Sequence, residues 1–175
     1  MFREVAIAVL TVTGVGILLH ALIARSARKS MSDTATACPW GRLVRGGSAV
    51  VVLACGLGLA ISGLYSRLVL DAALSGYLLI AHVSLGWALV AALAVFAVTW
   101  ASDHWDLPGL WVRKTAFWLM VIAAIPLILA VLLNMFPMFG TEWQDLVVEI
   151  HRYSGLMCTV SGTIWAYLTV RRVNA

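Results

Sequence analysis

The chain has 175 residues, 62% of them apolar and 11% charged, with a mean hydropathy of +0.97 and a formal net charge of +4. An ordinary soluble domain carries roughly 25% charged residues, so this composition excludes a soluble enzyme, a nucleic-acid-binding protein and a disordered chain. It leaves an all-α integral membrane protein of one domain over 1–175, whose basic excess reports sidedness instead of an affinity for nucleic acid.

A helix needs about 20 apolar residues to cross the hydrocarbon layer. Five runs reach or approach that length, roughly 4–24, 46–66, 74–101, 114–138 and 146–170. The first, from Val5 to Ala24, is long for a signal-peptide core, and its basic cluster Arg25, Arg28 and Lys29 follows it instead of preceding it. That order predicts a retained helix with its N-terminus outside. His20 stands near the inner end of this run. A basic, polar connection over 25–45 follows, with Cys38 and Pro39. The second run holds Cys55, and Arg67 sits in the outer connection after it. The third run carries His82 and Gly86, with His104 just past its inner end beside Pro108. The fourth carries Pro126, where a kink is expected and tolerated, and Asn134, a buried amide near the outer end. Met120, Met135, Met138 and Met157 read as packing filler. An outer connection with Glu142 and Asp145 leads to the fifth run, which holds His151, Arg152, Ser154, Gly155 and Cys158. Trp40, Trp100, Trp105, Trp111 and Trp143 lie near run ends, as an aromatic belt would.

Sidedness follows from the twelve basic residues. With the N-terminus outside, Arg25, Arg28, Lys29, Arg42, Arg45, Arg113, Lys114, Arg171 and Arg172 face inward, and only Arg3, Arg67 and Arg152 face outward. The positive-inside rule therefore predicts five spans, N-out and C-in, in a bacterial cytoplasmic membrane. The three cysteines form no C-x-x-C and no C-x-x-C-H, so a thioredoxin-like motif, a zinc site and covalently attached c-type haem are all excluded. Cys55 and Cys158 read as small packing residues.

Three histidines lie in apolar runs, where an ionisable residue marks a functional site by default. His82 and His151 lie about 12 and 8 Å below the outer boundary at 1.5 Å per residue. Their spans run in the same direction. Each contains H-x-x-x-G, with Gly86 after His82 and Gly155 after His151, so each imidazole has a bare patch one turn deeper on its own face. A porphyrin is a flat plate that takes a histidine above and below its iron and needs close helix approach, which glycine permits. The pair is read as axial ligands of haem b; the competing readings are hydrogen-bonded structural histidines or a proton path. Arg67 and Arg152 either pair with haem propionates or serve as interfacial anchors. His20 and His104 are weaker candidates for a second, inner haem. Asn134 either packs or meets a quinone.

The segments Gly76-Tyr77-Leu78-Leu79-Ile80-Ala81-His82 with Gly86, and Glu149-Ile150-His151-Arg152-Tyr153-Ser154-Gly155, resemble the small b-type cytochrome membrane subunits of respiratory complexes. These include the haem-b gamma subunits of formate dehydrogenase, hydrogenase and nitrate reductase. The resemblance covers roughly 46–170. It implies a haem-binding four-helix bundle from spans two to five with an added first span, bis-histidine haem, and electron exchange with a quinone pool and a partner subunit. Members with two haems carry four intramembrane histidines, where this chain has two. The stretch from His151 to Gly155 is also similar to the His-Arg-x-Ser-Gly element near the quinone site of the succinate dehydrogenase membrane subunit, which implies Arg152 and Ser154 as quinone contacts. There the element opens the first helix near the cytoplasmic side; here it opens the last, on the outer side.

Three functions stand side by side. The first is a haem-b electron-transfer subunit relaying electrons between an extracytoplasmic redox protein and the quinone pool. The second is a haem-free structural or assembly anchor. The third is a quinone-binding anchor subunit of a dehydrogenase complex. All three imply further subunits and membrane lipid as partners, and no independent catalytic nucleophile.

Overall fold

The structure is a computed structural model and describes residues 2–24, 39–105, 111–135 and 140–173. Among them are five helices: α1 (Phe2–Ala24), α2 (Pro39–Leu68), α3 (Gly76–Trp105), α4 (Trp111–Met135) and α5 (Thr141–Val173). Four contain a stretch long and apolar enough to cross a membrane: Phe2–Ala21, Leu43–Leu68, Gly76–Ala101 and Trp111–Met135. The chain is an all-helical, multi-pass membrane protein.

Several helices outrun the apolar stretches that predict them. α2 begins at Pro39, inside the expected connection, because a proline at the first helical position lacks only an N–H that would have no intrahelical partner. α3 continues to Trp105, so His104 belongs to its last turn instead of lying past it; its side chain is outside the described residues. α4 is described as far as Met135, and the expected continuation to 138 lies outside the described residues. An apolar run measures hydrocarbon thickness, whereas a helix persists into the interface until a turn ends it. Hydroxyls within the helices bond to carbonyls one turn back: Thr13 to Val9, Thr99 to Val95, Thr159 to Gly155 and Thr163 to Thr159. No lone hydroxyl is left facing an apolar surround at these positions.

Side-chain pairs give the helix directions. Gly58 meets Leu85, Ser62 meets His82 and Arg45 meets Trp100, so α2 and α3 run antiparallel. Gly155 meets Leu127 and Gly162 meets Met120, so α4 and α5 do too. Phe2 stacks edge-on with Tyr153 and His20 with Tyr167, which makes α1 parallel to α5. The main packing pairs are α4 with α5 and α2 with α3, joined by α2 with α5 and α3 with α4. Since α2 and α4 each touch both α3 and α5, the last two lie across from one another. α1 leans on α5 from outside that ring.

α2 faces inward with Ser48, Val52, Cys55, Ser62 and Ser66, all buried and spaced at alternating threes and fours or their sums. Small side chains on this heptad stripe let α3 approach closely, the usual route to helix association in lipid. At Gly58 a Cβ would come within 2.8 Å of Leu85 Cδ1. The turn after α2 is tied by Ser66, whose backbone carbonyl accepts from the Ala72 N–H and whose hydroxyl donates to the Ala72 carbonyl, and Gly76 opens α3 at φ +56°. That left-handed conformation carries little penalty for glycine.

The apolar core lies toward the end where α3 and α5 finish. Phe96, Phe117 and Trp165 are fully buried. Trp165 stands edge-on to Phe96 at 4.9 Å and to Trp100 at 5.0 Å, and Phe96 lies 5.5 Å from Phe117. Trp100, expected in the interfacial belt, instead joins this core. Its indole N–H donates to the Arg45 carbonyl at 3.1 Å while the Arg45 guanidinium lies 4.0 Å above its ring. Trp40, Trp111 and Trp143 are exposed, as a belt requires.

Candidate functional site at the paired histidines

His82 and His151 each stand two heptads before a core aromatic on their own helix, His82 before Phe96 and His151 before Trp165. Two heptads return to the same face of a helix. The Phe96–Trp165 contact and the histidine pair are therefore one facing relationship read at two levels, roughly 21 Å apart along the axis. The imidazole centroids are 6.4 Å apart with the rings inclined at 61°. The two histidines that the sequence pairs are thus brought together across α3 and α5.

The separation is informative. A metal held by one nitrogen of each ring puts the centroids roughly 6 Å apart, since each metal–nitrogen bond is about 2 Å and a ring nitrogen lies about 1 Å from its centroid. Among the described residues no group of three or more His, Cys, Asp or Glu could hold an ion. Two imidazoles fall short of a tetrahedral zinc site. Two imidazoles would be enough for a metal whose other four ligands came from a macrocycle. The donor set thus fits an iron porphyrin.

The two rings are held differently. Nδ1 of His82 lies 2.7 Å from the Ser62 hydroxyl on α2, and its Cε1 would be 3.5 Å from a Cβ at Gly63. Nδ1 of His151 is buried without a well-formed hydrogen bond, although the backbone of Leu127 on α4 is close enough to interact with the ring. Both imidazoles are half-buried.

The other predicted residues divide. Gly86 has open space where a Cβ would stand, and Gly155 faces Leu127 Cδ1 at 3.7 Å, so it serves the α4–α5 contact. The glycine that meets a histidine ring is Gly63, which the H-x-x-x-G pattern does not contain. Arg67 pairs with Asp71 at 3.7 Å, and Arg152 pairs with Glu149 one turn earlier on α5. Both ion pairs lie at the histidine end. Ser154 is half-buried beside them. Asn134, expected as a buried amide, is exposed: it shares the face of the buried Ala123 and Ala130, but the whole last stretch of α4, 131–135, is exposed. His20 Nδ1 bonds the Tyr167 hydroxyl at 2.9 Å near the opposite end. Cys55 is buried on the α2 stripe, and Cys158 donates to the Met120 carbonyl at 3.4 Å, both packing roles. Ser62 was not singled out from the sequence. Its signal is the small-residue stripe through Ser48, Cys55, Ser62 and Ser66.

No known protein family, curated protein or solved structure matches this chain.

Proposed function

We propose that the chain is a haem-b electron-transfer subunit of a membrane redox complex, with His82 and His151 as the axial ligands. The observation that carries this reading is the 6.4 Å approach of two imidazoles across facing helices, in a chain with no third ligand nearby among the described residues. When bound, haem would supply one-electron transfer, and His82 and His151 would be the residues that hold it. The protein's residues hold and orient it. Ser62 fixes one ring, the α2–α3 and α4–α5 contacts hold the helices at the needed spacing, and Arg67 and Arg152 would be the cations available to haem propionates at that end.

The same reading takes α2 to α5 as the haem-binding bundle and α5 as a fifth span. α5 is the least apolar of the five helices, yet it lies against α1, α2 and α4, where Gly155 and Gly162 face α4 side chains and Ser161 is buried. Arg45, Arg113 and Lys114 lie at the end opposite the histidines, which favours N-out and C-in in a bacterial cytoplasmic membrane. The haem then sits toward the outer leaflet. An extracytoplasmic redox protein is the partner there, further subunits complete the complex, and quinone meets the chain near Arg152, Ser154 and Asn134.

The test is an optical one. Solubilised membranes carrying the protein are expected to give a reducible b-type spectrum and one haem per chain by pyridine haemochrome. His82→Ala and His151→Ala are each expected to abolish it while the protein still accumulates. A colourless wild-type protein, expressed under haem sufficiency, refutes the proposal and leaves the haem-free anchor.

A further inference from the structure

The hydrogen bonds around Ser62 specify more than proximity. Its hydroxyl oxygen lies 2.8 Å from the Gly58 carbonyl, 3.1 Å from the Leu59 carbonyl and 2.7 Å from His82 Nδ1. A hydroxyl has one proton to give and two lone pairs. If that proton went to Nδ1, the serine oxygen would face the Gly58 carbonyl at hydrogen-bond distance with no proton between two acceptors. If it goes back to the Gly58 carbonyl, as mid-helix serines commonly do, the oxygen is left to accept from an Nδ1–H. The second arrangement places a proton in both contacts shorter than 3 Å, with the Leu59 carbonyl at 3.1 Å as the longer branch of the same donation, and keeps the imidazole neutral as a metal ligand must be.

We infer that Ser62 is a positioning residue that locks His82 as the Nδ1–H tautomer, leaving Nε2 as the bare, coordinating nitrogen. This rests on the haem reading for its purpose, though not for its geometry. The site is consequently asymmetric. The α3 ligand has its tautomer and ring orientation set by α2 before any metal arrives, whereas Nδ1 of the α5 ligand is buried without a formed hydrogen bond. An acceptor on the far nitrogen also raises the basicity of a ligating imidazole and favours the oxidised metal.

The experiment has two arms on the full-length chain in micelles. In the first, histidine is 15N-labelled in the haem-free protein, and His82 is assigned by the signal lost in His82→Gln. Wild type and Ser62→Thr are expected to show protonated Nδ1 and bare Nε2 at His82, and Ser62→Ala a shift toward the Nε2–H form. In the second, haem is added. Ser62→Ala is expected to bind it about 10- to 100-fold more weakly, the usual effect of losing a partner behind a metal ligand, with a higher midpoint potential. Ser62→Thr and Ser48→Ala, the latter removing a buried hydroxyl elsewhere on the same stripe, keep wild-type values. An Nε2–H form of His82 in wild type overturns the inference whatever the haem result, as does a Ser62→Ala protein with unchanged ring signals, affinity and potential. A protein that takes no haem while His82 shows Nδ1–H sinks the proposed function and leaves the tautomer lock standing.

Discussion

At the residue scale, the same kind of contact does two different jobs at the two ends of the α3–α5 face. At one end Phe96, Trp100 and Trp165 fill the space between the helices with edge-to-face rings, each such pair adding about 0.5–1.5 kcal/mol beyond simple packing. At the other end the space is spanned by two imidazoles that stop 6.4 Å apart. Truncating the first set is expected to lower stability, and truncating the second to abolish the proposed haem binding. Trp165→Ala is expected to cost roughly 3 kcal/mol, the low end for a buried aromatic, because in lipid the lost packing is not joined by a large transfer from water. Thermal melting followed by circular dichroism in detergent measures it, and a loss below about 0.5 kcal/mol, the scale of ordinary surface changes, would contradict the packing described. His20 belongs to neither group, being bonded to Tyr167. His20→Ala is expected to leave haem content per chain unchanged, and a halved haemochrome value would mean that His20 ligates a second haem.

At the element scale, the close approach of α2 and α3 positions Ser62 and Gly63 against His82. A side chain at Gly58 would press on Leu85. Gly58→Val is expected to destabilise the protein by about 1–3 kcal/mol, the usual penalty for overpacking, and Leu85→Ala in the same chain to relieve part of that loss. Additive losses in the double variant would show that the contact is not the source. α1 contributes differently, held to α5 by Phe2 on Tyr153 at one end and His20 on Tyr167 at the other, with most of its length exposed to the surroundings. Its removal from the site's own geometry follows, since none of the contacts made by His82 or His151 comes from α1 among the described residues.

At the scale of the whole molecule, function depends on which side of the membrane the histidine end faces. Cysteines introduced at Asp71 and Thr141 are expected to react with an impermeant reagent added outside intact cells, and one at Trp111 only after the membrane is opened. Labelling in the reverse pattern would invert the topology and place the haem toward the cytoplasm. Composition and the spacing of apolar runs were enough to read the all-helical membrane class and to single out His82 and His151, because the cost of an ionisable group in lipid is written residue by residue along the chain. The second heptad step that aligns His82 with Phe96 and His151 with Trp165 was also present there, but its meaning depends on α3 and α5 facing one another. The helices reach beyond the apolar runs to Pro39 and Trp105, since hydropathy marks the bilayer and not the end of a hydrogen-bond ladder. The partner of His82, the exposure of Asn134 and the recruitment of Trp100 into the core were decided only by tertiary structure: each depends on which neighbouring helix a face meets, and a single helix's periodicity fixes which residues share a face without fixing what stands opposite.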